Sequence, residues 1–193
     1  MKNLDSIDED ELLMLRVSMH DVGAFEELLH KYSDISLKVI KRMIGNSADA
    51  EDIVQDFFLK IWSNAEIWQP QAKFKTWLFR VLFNAVTDYW RKQKKHSELD
   101  DELSDHLPSA LDILIKTEAE QAIKIALDHL PYKQRAVLVL CYYENFSNAE
   151  AAEILFTTTG AVQALLFRAR NNLKNMIASN FDRGDRKNGT KRI

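Results

Sequence analysis

The chain has 193 residues, 46% of them hydrophobic, and a formal net charge of −3, which excludes global disorder and fits one large domain or two small ones. A single cysteine, Cys141, excludes an internal disulfide framework and fits a reducing compartment. No basic start leads into an apolar run and no apolar stretch is long enough to cross a bilayer, so a cytoplasmic protein without membrane insertion is expected.

With only five glycines and three prolines, the chain suits long helices. A first helix is expected over Glu9–Met19. A second, over Val22–Ile44, repeats Phe25, Leu28, Leu29, Tyr32, Ile35 and Val39 at helical spacing. Gly45-Asn46-Ser47 breaks it. A third helix is expected over Asp49–Trp62 and a fourth over Phe74–Lys95, with Pro70 in the loop between them. The first domain is therefore expected over residues 1–96.

In the third helix Ile53, Val54, Phe57, Phe58, Ile61 and Trp62 form an apolar stripe, with Asp52, Gln55 and Asp56 off it. Asp52 and Asp56 are like charges four apart, a mildly destabilising arrangement. A local ion pair between Asp56 and Lys60 is one explanation; an acidic edge that meets arginines on a partner is the other. In the fourth helix Phe74, Leu78, Val81, Leu82, Ala85 and Tyr89 form the expected core face. Arg80, Asn84, Thr87 and Arg91 form a polar face, and Phe79, Phe83 and Trp90 an aromatic flank. Cations beside aromatics suit unstacked single-stranded DNA; packing against neighbouring helices also accounts for the aromatics.

Residues 97–117 are acidic, with Glu98, Asp100, Asp101, Glu102, Asp105 and Asp112, and read as a linker. A second domain is expected over 118–178, with helices at Tyr132–Tyr143, Asn148–Leu155 and Thr159–Ala178. The polar, basic segment 179–193 reads as a disordered tail. Basic zones thus flank an acidic linker, a distribution more informative than the net charge.

Ser147-Asn148-Ala149-Glu150 is a capping box. The small Ala149, Ala151 and Ala152 permit a close crossing, and Phe156-Thr157-Thr158 forms a turn. In the next helix Val162, Leu166, Ala169 and Leu173 share the buried face. Gln163 and Phe167 point the other way, with Arg168, Arg170 and Lys174 late in the helix. This is the frame of a helix-turn-helix, whose second helix enters the major groove; on pattern alone an ordinary helical hairpin is an equal alternative. The five histidines lack zinc-ligand spacing and no glycine-rich phosphate loop occurs. No metal, cofactor, small-molecule substrate or enzymatic activity is expected.

Ala152-Glu153-Ile154-Leu155, Gly160, Val162, Leu166, Arg168-Ala169-Arg170 and Leu173 resemble the promoter-reading domain of extracytoplasmic-function (ECF) sigma factors. Asp49-Ala50-Glu51-Asp52-Ile53-Val54-Gln55-Asp56 resembles their polymerase-binding helix. Phe74-Lys75-Thr76-Trp77-Leu78-Phe79-Arg80, with Asn84, Asp88 and Arg91, resembles their promoter-melting helix. The resemblance implies an all-α fold of two small helical domains joined by the acidic linker, the second holding the helix-turn-helix. It implies that Asp49, Asp52, Gln55 and Asp56 meet the coiled coil of the largest subunit of core RNA polymerase. Lys75, Arg80, Asn84, Arg91, Lys92, Lys94 and Lys95 would bind the −10 element, Asn84 and the loop 64–73 holding a flipped base. Thr158, Thr159, Gln163, Phe167, Arg168, Arg170 and Lys174 would bind the −35 element. The acidic linker would occupy a basic nucleic-acid channel of the polymerase, and a partner anti-sigma factor is expected. The family often has glycine where this chain has Phe156, and basic residues where it has Gln163 and Leu165.

Overall fold

The computed structural model describes residues 8–45, 47–69, 73–97, 123 and 125–188. Its described residues divide into two compact units, the first holding residues 8–97 together with Glu153–Phe156 and the second the rest of the residues from 123 on. No strand occurs among the described residues.

The first unit begins with α1 (Glu9–Ser18), whose first turn carries Glu9, Asp10 and Glu11 against the positive end of the helix. Asp21 caps α2 (Val22–Ile44), its carboxylate accepting from the Ala24 amide at 3.0 Å. That bond and the one from Arg16 hold the Asp21 carboxyl below its usual range. Gly45 ends α2 in the left-handed region, φ 76°, and its amide bonds back to the Lys41 carbonyl. A side chain there would be strained, so the glycine has a backbone reason.

Helix α1 packs on α2, and Leu13, Met14 and Val17 of α1 are buried, as are Leu28, Tyr32 and Val39 of α2. A polar cluster joins the two helices. Asp10, almost fully buried, accepts from Lys31 Nζ and from the Tyr32 hydroxyl, each at 2.5 Å. Burial, and then the bond to Asp10, push the Tyr32 hydroxyl well above its usual range. The buried carboxylate is therefore matched by a cation and a hydroxyl, as burial of a charge requires.

Next come α3 (Ser47–Ser63), a 3-10 turn (Ala65–Ile67) and α4 (Phe74–Ser97). Helix α4 packs against α1, α2 and α3. Three neighbours widen its buried arc, which takes in Phe79 at 0% and Phe83 at 2% exposure alongside Phe74, Leu78, Leu82 and Val86. These two rings are core, each contributing roughly 1.5–3 kcal/mol by burial; they do not form the expected aromatic flank. Val81, Ala85 and Tyr89, expected in the core, are half-buried.

The linker residues 98–117 lie outside the described residues. In the second unit a helical turn at 125–128 precedes Pro131, and α5 (Tyr132–Leu138) follows. Arg135 is buried; its guanidinium donates to the Asp128 carbonyl and lies 3.6 Å from the Asp128 carboxylate. Burial lowers its pKa, with Asp128 opposing the shift.

The expected helix Tyr132–Tyr143 is not uniform. From Val139 to Tyr143 it opens into a π-turn, the Glu144 amide bonding to Val139 five residues back. Then come α6 (Asn148–Ile154) and α7 (Thr159–Asn188). Helix α7 continues ten residues past Ala178, through most of the segment expected to be a disordered tail. No proline interrupts that stretch, so its backbone can continue the helical ladder. Residues 189–193 lie outside the described residues.

Candidate nucleic-acid interface

Helix α3 presents two faces. Phe57, Phe58 and Ile61 are buried, while Asp52, Gln55 and Asp56 are exposed. Asp56 forms no ion pair with Lys60, whose side chain instead lines a cavity. Asp49 differs from its neighbours on the acidic edge. It is half-buried and accepts a hydrogen bond from the Tyr89 hydroxyl of α4 at 2.6 Å. Burial and this bond push the Tyr89 hydroxyl up to about 12. The exposed edge therefore consists of Asp52, Gln55 and Asp56, with Asp49 anchored inward.

The cavity, of about 420 Å³, lies between the end of α3, the 3-10 turn and the start of α4. Its walls include Lys60, Asn64, Trp68, Trp77 and Arg80. Trp68 and Trp77 meet edge to face, their ring centroids 6.0 Å apart, and Phe74 supports both. The volume falls in the range of roughly 300–1,000 Å³ found for small-ligand sites. Aromatic walls with a guanidinium and an amide can stack and hydrogen-bond a planar heterocycle. The loop 64–73 and the motif holding Trp77 are legible in the sequence, but not the role of Trp68 and Trp77 as cavity walls; two tryptophans bracketing a proline-containing loop before a basic helix are the available signal.

The expected −10 residues are spread along α4 from Lys75 to Lys95. Arg80 lines the cavity, whereas Asn84, one turn further along α4, is exposed and outside its walls. Lys75 is half-buried, its ammonium 5.8 Å from the Phe79 ring centroid. Arg91 is exposed and paired with Asp88 at 3.0 Å, and Lys92 is exposed beside it. Lys94 and Lys95 continue the helix; their side chains lie outside the description.

In the second unit the capping box forms as its spacing requires. The Glu150 amide donates to Ser147 Oγ at 3.2 Å, and the Glu150 carboxylate accepts from the Ser147 amide at 3.0 Å. Thr158 caps α7, its Oγ1 accepting from the Ala161 amide at 3.2 Å. Ala151, Ala152 and Ile154 of α6 and Val162, Leu166 and Ala169 of α7 are buried. An Asn172–Gln134 side-chain bond of 2.9 Å ties α7 to α5.

Between α6 and α7, Phe156 takes a left-handed backbone, φ 50°, with its side chain exposed. The turn thus has the conformation that glycine adopts most easily, with phenylalanine in it. Thr158, Thr159, Gln163, Phe167, Arg168, Arg170 and Lys174 are all exposed. The first turns of this surface are neutral and its positive charge comes later. Among the described residues no His, Cys, Asp and Glu group could hold a metal ion, and no helix is long and apolar enough to cross a membrane.

Two family models match the chain: Sigma-70 region 2 over residues 28–96 and Sigma-70, region 4 over residues 120–173. The ECF RNA polymerase sigma factor SigW of Bacillus subtilis is 31% identical, the match covering 84% of this chain and 93% of SigW. The ECF RNA polymerase sigma-E factor of Haemophilus influenzae is 26% identical, over 87% of this chain and 95% of the relative. Among solved structures, sigma factor RpoE from Bartonella quintana, in complex with the anti-sigma factor NepR, is similar at a TM-score of 0.65. The sequences are 25% identical, and the match covers 80% of this chain and 96% of RpoE. CnrH, solved in complex with the cytosolic domain of CnrY, shares the fold at a TM-score of 0.67 and 22% identity, over 89% of this chain and 99% of CnrH. With region 2 and region 4 in the family's order and SigW matched over almost its whole length, the chain belongs to the ECF RNA polymerase sigma factors.

Proposed function

We propose a division of labour between the two units of this sigma factor, which binds core RNA polymerase and directs promoter-specific initiation of transcription. In the first unit Asp52, Gln55 and Asp56 dock on the coiled coil of the polymerase's largest subunit. The observation that carries this reading is the exposure of Asp52 and Asp56, two like charges on one helix face, with no local ion pair between Asp56 and Lys60. Such an edge is mildly costly to the free protein and favourable against a basic partner.

Helix α4 then receives the −10 element. A base leaving the stack enters the cavity walled by Trp68, Trp77 and Arg80, with Asn84 beside it. Lys75, Arg91, Lys92, Lys94 and Lys95 take backbone phosphates. Unstacking costs a few kcal/mol, which polymerase contacts help to offset, so the isolated protein melts DNA poorly. The second unit seats α7 in the major groove of the −35 element. Gln163 can pair with adenine and Phe167 can touch a thymine methyl, while Arg168, Arg170 and Lys174 position the helix on phosphates. Thr158 and Thr159 meet the backbone at the start of the helix.

The acidic linker occupies a basic channel of the polymerase, and an anti-sigma factor holds the protein inactive, as the RpoE–NepR complex illustrates for a relative. The protein works in the cytoplasm, by binding and without catalysis. Co-purification of the full chain with core polymerase, followed by run-off transcription from cognate promoter DNA, tests the reading. Stable holoenzyme and promoter-dependent transcripts are expected; failure to join core polymerase would overturn it.

A further inference from the structure

Arg170 is not an isolated cation on α7. Its Nη2 donates to the Tyr142 hydroxyl, and its guanidinium carbon lies 5.3 Å from the Tyr142 ring centroid. The two residues are 28 positions apart in sequence and both are exposed, Tyr142 at 51%. Tyr142 reaches this place through the π-turn Val139–Tyr143. The wider register there rotates the residues that follow relative to the face of α5, which packs on α7. Such turns occur often at functional positions.

We propose that Tyr142 and Arg170 form a phosphate-gripping pair for duplex DNA beside the helix-turn-helix, with Tyr142 as the positioning residue. An exposed arginine samples many rotamers, and ordering it on a ligand opposes binding. The tyrosine ring and hydroxyl order it in advance. The hydroxyl occupies one guanidinium donor and leaves the others for phosphate oxygens, which bind guanidinium in a fork. In accepting that bond it also keeps its own hydrogen for an acceptor. A backbone phosphate is favoured over a base because Arg170 stands three turns into α7. In this motif the first residues of the second helix meet base edges. The inference rests on α7 being the helix that enters the groove.

The test is binding of holoenzyme, full chain plus core polymerase, to promoter fragments over a salt series. Arg170→Ala is expected to weaken binding about tenfold, uniformly across −35 sequences, and to make the log–log salt slope shallower by about 0.9. Tyr142→Ala should weaken binding about fivefold and Tyr142→Phe, which keeps the ring, by less. In the Arg170→Ala background, Tyr142→Ala should change affinity by less than about twofold, because the coupling is then already lost. The proposal is overturned if Tyr142→Ala binds as the wild type does, or costs the same in both backgrounds. An unchanged salt slope for Arg170→Ala removes the phosphate. If wild-type holoenzyme binds equally well with the −35 element scrambled, the groove reading of α7 falls and the pair with it.

Discussion

The Tyr89 hydroxyl on α4 donates to the Asp49 carboxylate on α3 across 2.6 Å. Asp49, unlike Asp52, Gln55 and Asp56, thereby becomes an internal tie between α3 and α4. Tyr89→Phe deletes the bond while keeping the ring, and should lower stability by about 1 kcal/mol at neutral pH. The loss should depend on pH. The folded-state value of the hydroxyl is raised to about 12, so the unfolded chain deprotonates first. The contribution is complete below pH ~10 and is lost as pH rises towards the folded value. Urea unfolding of both proteins at neutral and alkaline pH checks this; a gap that widens with pH would sink it.

The same contact separates Asp49 from Asp56. Asp56→Arg should weaken core-polymerase affinity by tenfold or more, about 1.4 kcal/mol, with little change in thermal midpoint, because Asp56 is exposed. Asp49→Asn should show the reverse pattern. Competition binding to core polymerase, with a melting curve for each variant, decides the matter. Equal loss of affinity in both variants would show that Asp49 also faces the polymerase.

Phe156, in the turn between α6 and α7, provides a further test. A non-glycine residue in the left-handed region costs roughly 1–2 kcal/mol, and glycine costs roughly 0.5–1 kcal/mol in extra unfolded-state freedom. The Phe156 ring is 71% exposed and gives up little burial on removal. Phe156→Gly should therefore stabilise the protein by about 0.5–1 kcal/mol in urea denaturation. A destabilised variant would mean that the ring contributes more than its exposure implies.

Some of this organisation is legible in the sequence because it rests on short-range rules. Helix α2 runs from Val22 to Ile44 as periodicity predicts, since Asp21 and Gly45 fix its ends through their own backbone chemistry. The capping box forms because Ser147 and Glu150 are three residues apart, whatever surrounds them. Where burial depends on several partners, the sequence says less. Phe79 and Phe83 read as a flank on a single helical projection, yet they are core because α4 meets three helices. The π-turn has no compositional signal, so the meeting of Tyr142 with Arg170, 28 residues later, could not be read from spacing. The cavity follows the same logic. Its loop was recognisable, but its tryptophan walls meet only once α3, the 3-10 turn and α4 are packed together.

The cluster in which buried Asp10 and Tyr32 meet the exposed Lys31 fixes more than the strength of the α1–α2 contact. Apolar burial alone is non-directional and does not set the register of α1 on α2. After a slip of α1 by a turn the Asp10 carboxylate would sit in a low-dielectric interior without its two donors, a cost of several kcal/mol. Alternative packings are thus disfavoured individually, even where their apolar burial is equal. The cluster acts as a registration pin, selecting one alignment of the first two helices and, through it, the frame on which α3 and α4 are set.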